Sequence, residues 1–167
     1  MWHGTILRWR VRTIQTSAAY IQSRSLAFIR ISPRESIIMP FVRINLSVNT
    51  SADAVRAISD VIYEAMVTLA NVPEHDKFQV ITRHAADELV YPEAGYLGVQ
   101  YSPDIVFIQV TWNVGRTTDT KKAFYRTVAD NIHARTGIRQ ADVWISLVEV
   151  NREDWSFGNG EMQYAPA

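Results

Sequence analysis

Apolar residues fall at positions 42, 44, 46 and 48 of Phe41-Val42-Arg43-Ile44-Asn45-Leu46-Ser47-Val48, and directly afterwards the spacing changes. Ala54, Ile58, Val61, Ile62, Ala65, Met66 and Leu69 then recur every three or four residues. A period of two places alternate side chains on one face of a strand, whereas the longer period gathers them on one stripe of a helix. Ser51 is placed to cap that helix and Asp53 suits its positive end. Pro73 disfavours helical geometry at Val72, so the helix should end near Asn71. A second strand is expected over 77–83, followed by a stretch that Gly95, Gly98 and Pro103 break into short extended pieces.

The same order then repeats. The run 104–112, Asp-Ile-Val-Phe-Ile-Gln-Val-Thr-Trp, reads as a strand buried on both faces. Asn113-Val114-Gly115 turns the chain, Thr117 or Thr118 can cap a helix with Ala123, Phe124, Val128 and Ile132 as its apolar stripe, and Gly137 ends it. Residues 142–150 form the last strand, and an aromatic tail with glycines runs to Tyr164. Two β-α-β units in succession predict an α/β (α+β) sandwich: a pseudo-symmetric, four-stranded sheet with both helices on one face. The other face and the sheet edges then need cover, which oligomerisation would supply.

With 47% hydrophobic and 20% charged residues among 167, the composition is that of one globular domain with a substantial core. Lys+Arg and Asp+Glu balance at 17 each, so no net field favours nucleic acid or an anionic membrane, while local charge can still hold a small anion. No apolar run approaches a membrane span. The absence of cysteine excludes disulfides and thiolate chemistry. The charge is uneven, however: Arg8, Arg10, Arg12, Arg24, Arg30 and Arg34 stand against Glu35 alone before Met39. Residues 1–39 are therefore expected to lie outside a domain spanning 40–167. They have the make-up of a mitochondrial transit peptide. They also fit upstream sequence ahead of a true start at Met39, because Arg34-Glu35 can be encoded with a ribosome-binding GGAG core; the protein is then cytoplasmic.

The second alternative matters chemically. A chain beginning at Pro40 carries a free secondary amine, whose reference pKa of about 7.7–8.0 suits it to act as base or acid near neutrality. Within a longer chain, Pro40 is an amide at a strand entrance and does nothing chemical. Arg116 also has two readings. A cation at the start of a helix faces the unfavourable end of the dipole, which makes sense if an anion sits there; otherwise it is a solvated arginine. His75, His84 and His133 lack metal-ligand spacing, and Gly158-Asn159-Gly160 reads as a turn, so no metal or cofactor is expected.

Four stretches carry a family likeness: Met39-Pro40 before a strand, Val72-Pro73-Glu74-His75-Asp76-Lys77-Phe78-Gln79, Gly115-Arg116-Thr117 opening a helix, and Asp154-Trp155-Ser156-Phe157-Gly158. Their order and spacing resemble the tautomerase superfamily, in particular its malonate semialdehyde decarboxylase branch, from Pro40 almost to the C-terminus. The resemblance implies a homotrimer with a central barrel of sheets, an N-terminal proline as catalytic residue, and no cofactor. It implies that Asp76 holds water or orients the amine, that Arg116 binds a substrate carboxylate, and that Trp155 and Phe157 wall the pocket. One departure stands out: the decarboxylases carry a second arginine two residues before Arg116, where this chain has Val114. Keto-enol tautomerisation of a small oxo- or unsaturated carboxylic acid is therefore expected ahead of decarboxylation or hydration, with Arg43 or Arg83 as the cations available to compensate. If Pro40 is not exposed by processing, the alternative is a non-catalytic trimeric binding protein.

Overall fold

Two hydroxyl side chains set where the helices begin. In the computed structural model, which describes residues 39–164, Ser51 accepts a hydrogen bond from the Ala54 amide (3.1 Å) at the start of α1 (Ala52–Ala70). Thr117 accepts one from the Thr120 amide (3.1 Å) at the start of α2 (Thr118–Thr136). Each helix stops on a left-handed residue, Asn71 at φ 54° and Gly137 at φ 77°, whose amides donate back to the carbonyls of Met66 and His133. The expected extension 1–39 falls, except for Met39, outside the described residues.

The strands are β1 (Phe41–Ser47), β2 (Phe78–His84), β3 (Val106–Asn113) and β4 (Val143–Val150), in the spatial order β2-β1-β3-β4. β1 pairs parallel with β2 and β3 with β4, while β1 and β3 meet antiparallel at the centre. Two β-α-β units are thus joined along one antiparallel seam, with both helices on one face. Val42, Ile44 and Leu46 of β1 and Val106, Ile108, Val110 and Trp112 of β3 point to that face. They meet Ile58, Val61, Ile62 and Met66 of α1 and Phe124, Val128 and Ile132 of α2, all buried. The Trp112 and Phe124 rings touch edge to face at 5.4 Å.

β3 departs from the expectation of burial on both faces. Its alternate residues Phe107, Gln109 and Thr111 are only half-buried, because they lie on the sheet face that carries no helix among the described residues. β4 begins one residue later than expected, since Asp142 belongs to a 3₁₀ turn (Gln140–Asp142). There its buried carboxylate accepts from the Ser102 amide (2.6 Å), the Ser102 hydroxyl (2.8 Å) and Arg139 (2.7 Å), which anchors the preceding loop to the start of β4. Val48 lies past the end of β1 and is 50% exposed.

Because Phe124 is fully buried against Trp112, Phe124→Ala should lower the unfolding free energy by about 3–5 kcal/mol in urea titration. A loss under about 1 kcal/mol would mean that the interhelical core is looser than this packing implies.

Candidate active site

The register determines which loops meet. Phe41 is level with both Phe78 on β2 and Thr111 on β3, and Asn113 is level with Val150 on β4. The entrances of β1 and β2 and the exits of β3 and β4 therefore share one end of the sheet. Pro40, the Val72–Lys77 loop, the β3–α2 turn and the turn after β4 all lie there. Pro40 is buried, and so is Met39 at 9% exposure, whose carbonyl makes the Pro40 nitrogen an amide within this chain.

At this end a cleft of about 820 Å³ opens between the C-terminus of α1, the β3–α2 turn and the turn after β4. Gly115, at φ 122°, makes the turn from β3 toward α2, a backbone conformation open to few residues with a Cβ. Arg116 follows it and folds back over the Trp112 ring, 4.1 Å from the centroid, a cation–π arrangement. Its Nη1 donates to the Asn113 carbonyl (2.6 Å) and its Nη2 to the Ala70 carbonyl (3.4 Å). Nε is buried and has no acceptor among the described residues. Burial pushes the Arg116 pKa down to about 10, against a smaller opposing pull from Glu149, so the guanidinium stays charged at neutral pH. A charged guanidinium lining a cleft is chemically suited to hold an anion.

Asp76 is held by the loop that leads into β2. His75, left-handed at φ 79°, donates its amide to the Tyr63 hydroxyl (2.8 Å), and Lys77 reaches Asp60 (2.7 Å), so both flanks are tied to α1. Burial raises the Asp76 pKa above its ordinary value, partly offset by His75. The tail supplies the aromatic groups: Trp155 Nε1 donates to the Asn113 side chain (2.7 Å), and Phe157 stacks on Trp155 at 5.7 Å. Gln163 then closes the tail by accepting from the Phe157 amide (2.9 Å) and donating to the Gly158 carbonyl (3.0 Å). That closure returns Tyr164 onto Phe157 (4.7 Å) and into the cleft wall. Burial and the nearby Asp76 carboxylate push the Tyr164 hydroxyl up to about 12, against Arg152, so it remains a hydrogen-bond donor.

A sequence-family model described as "Tautomerase enzyme" matches residues 76–158. "Probable tautomerase YusQ" of Bacillus subtilis (strain 168) is 42% identical over 125 residues, which is 75% of this chain and 98% of that protein. The chain belongs to the tautomerase superfamily. Among solved structures, FG41 malonate semialdehyde decarboxylase inhibited by 3-bromopropiolate is 36% identical with a TM-score of 0.68, covering 74% of this chain and 93% of that one. A fused 4-OT wild-type symmetric trimer, 20% identical with a TM-score of 0.60 over 72% of this chain and 94% of that one, shares the fold.

The residues singled out from the sequence do not all converge in this member of the superfamily. Pro40, Asp76, Arg116 and Trp155 lie at one end of the sheet, with Phe157 stacked beyond Trp155. Arg43 lies two residues into β1 on the helix-free face, exposed, with its guanidinium 5.1 Å from the Phe41 ring centroid. Arg83 lies near the far end of β2, where it donates to the Val48 (3.0 Å) and Thr50 (2.8 Å) carbonyls, too distant along the strand to serve the cleft. Tyr164 and Arg152 line the cleft, and sequence reasoning missed both. The available signal for Tyr164 was the Gly158-Asn159-Gly160 turn, whose left-handed residues (φ 135°, 57° and 70°) send the tail back on itself. Among the described residues no three His, Asp or Glu side chains gather as a metal site, and no helix is long and apolar enough to cross a membrane.

The raised pKa of Asp76 fixes the sign of a pH effect. The ionised carboxylate is disfavoured by folding, so the favourable contribution is complete below the ordinary value of 3.8 and is lost as pH rises through the folded value. Asp76→Asn should therefore be more stable than wild type at neutral pH, with the difference shrinking as the pH falls toward 3.8, as read from thermal unfolding. Lower stability of the variant at neutral pH would contradict this environment for Asp76.

Proposed function

We propose that the protein is a cofactor-independent enzyme that uses Pro40, freed as the N-terminus, for keto-enol tautomerisation of a small oxo- or unsaturated carboxylic acid. The observation that carries this reading is the β1–β3 register, which brings the entrance of β1 to the same end of the sheet as the Arg116 cleft. Arg116 holds the carboxylate. The Pro40 nitrogen takes the enol proton and returns a proton to the neighbouring carbon, so atoms and charge balance and no redox partner is needed. Asp76 orients the amine or a water; when ionised it favours the protonated amine and pushes Pro40 toward acid behaviour. Tyr164 donates a hydrogen bond toward a developing oxyanion. Trp155 and Phe157 supply an apolar wall that strengthens these interactions.

The catalytic domain on this reading begins at Pro40, and residues before it block the site in two ways. Met39 acylates the nitrogen, removing its basicity, and it is itself buried beside Pro40. The likeness to the 3-bromopropiolate-inhibited decarboxylase favours a second reading, decarboxylation or hydration of a β-oxo acid such as malonate semialdehyde. Val114, in place of a second arginine, weighs against it. The comparisons give no support to a non-catalytic binding protein.

A homotrimer is part of the proposal. The helix-free face exposes Phe78 (50%), Val80 (42%) and Trp144 (42%), apolar groups on the two edge strands that other copies would cover.

A chain beginning at Pro40 should ketonise an enolised arylpyruvate about 10²- to 10⁴-fold faster than one retaining Met39, the range expected of one positioned acid-base group. Equal rates would overturn the role of Pro40. Turnover of malonate semialdehyde without proton transfer in the arylpyruvate would reverse the order of the two reactions. Sedimentation equilibrium should give three times the monomer mass, and a monomer would remove the trimer.

A further inference from the structure

The Arg116 cleft contains a second guanidinium that the proposed chemistry leaves unused. Arg152 lines it from the turn after β4. That turn is braced from both sides: the Asn151 amide donates to the Asp154 carboxylate (2.7 Å), and the Asp154 amide donates to the Asn151 carbonyl (3.2 Å). Arg152 is exposed, and among the described residues its side chain has neither an ion-pair nor a hydrogen-bond partner. Its charge nevertheless reaches the cleft, because it opposes the upward shift of the Tyr164 hydroxyl.

Arg116 is differently placed. Two of its N–H groups are committed to the Asn113 and Ala70 carbonyls and its face to Trp112, so it is a fixed cation with a reduced set of free donors. Val114, the position where the sequence likeness predicts another arginine, lines the same cleft as an apolar residue with 55% exposure. The charged groups of the cleft are therefore a half-buried guanidinium, an exposed guanidinium and the Glu153 carboxylate. This arrangement favours an anion and has an inner and an outer point of attachment.

We propose that Arg152 is the outer anion-binding residue of this cleft and that the ligand carries two anionic groups, one held by Arg116 and the other by Arg152. The inference rests on the carboxylate role of Arg116 but not on catalysis by Pro40. A ligand with one carboxylate engages Arg116 alone. A dicarboxylate of similar size gains a charge-assisted contact to Arg152 and selects for a two-headed substrate.

Calorimetric titration of the full chain with malonate and with propionate, which differ by one carboxylate, tests this without requiring turnover. Wild type should bind malonate about tenfold or more tightly than propionate, as one charge-assisted contact implies. Arg152→Gln should abolish that preference while leaving propionate affinity within about twofold, and Arg152→Lys should restore part of it. An unchanged unfolding midpoint in the variants excludes a general loss of structure. If propionate binds and malonate binds no better, or if Arg152→Gln weakens both ligands alike or neither, the role of Arg152 is overturned while that of Arg116 stands. If neither ligand binds, the carboxylate reading of Arg116 falls together with the inference.

Discussion

The antiparallel seam between β1 and β3 is the constraint on which the rest of the molecule depends. Each β-α-β unit alone would place its strand ends at its own two poles, and only the pairing of Phe41 with Thr111 and of Asn45 with Phe107 relates the poles of one unit to those of the other. A slip of one residue would turn Val42, Ile44 and Leu46 away from the helices and expose the core. The hydrophobic alternation that keeps this register therefore also keeps Pro40 at the end of the sheet where β3 exits and Arg116 begins its helix. Core packing and site assembly share one cause.

Trp112 carries that coupling into the cleft. Its fully buried ring is packed edge-on by Phe124 on one side and covered on the other by the Arg116 guanidinium, so the core directly supports a residue that lines the cleft. Charges at the two ends of the sheet are handled in opposite ways. At the start of β4, Asp142 is buried but receives bonds from Arg139 and Ser102, which hold its carboxyl below the ordinary range and make it a structural tie. At the other end, burial raises Asp76 and lowers Arg116 without comparable compensation. Disfavoured charge concentrated beside a cleft is the electrostatic signature expected of a site awaiting a charged ligand.

Much of the fold was legible because its signals are local. Ser51, Thr117, Asn71 and Gly137 act through bonds to residues within five positions, and each helix end lies where those residues predict. β3 shows the limit of such signals: an apolar run of Val, Ile, Phe and Trp looks alike whether its second face is covered by a helix or, as in this single chain, carries none among the described residues. Arg43 and Arg83, offered as replacements for a missing cation, were plausible by type, but neither lines the Arg116 cleft: a strand carries one to the helix-free face and the other toward its far end.

Sequence by itself determined the two β-α-β units, their caps and the superfamily likeness, and it singled out Pro40, Asp76 and Arg116 as candidates. All of these follow from periodicity or from short motifs read within a few residues. Only the tertiary structure decided which side chains share the cleft, because that depends on strand register and on a tail folded back by Gln163. Arg152 is carried to the cleft by the β4 register and Tyr164 by the folded-back tail, where they face residues tens of positions away, and no local pattern records such a meeting.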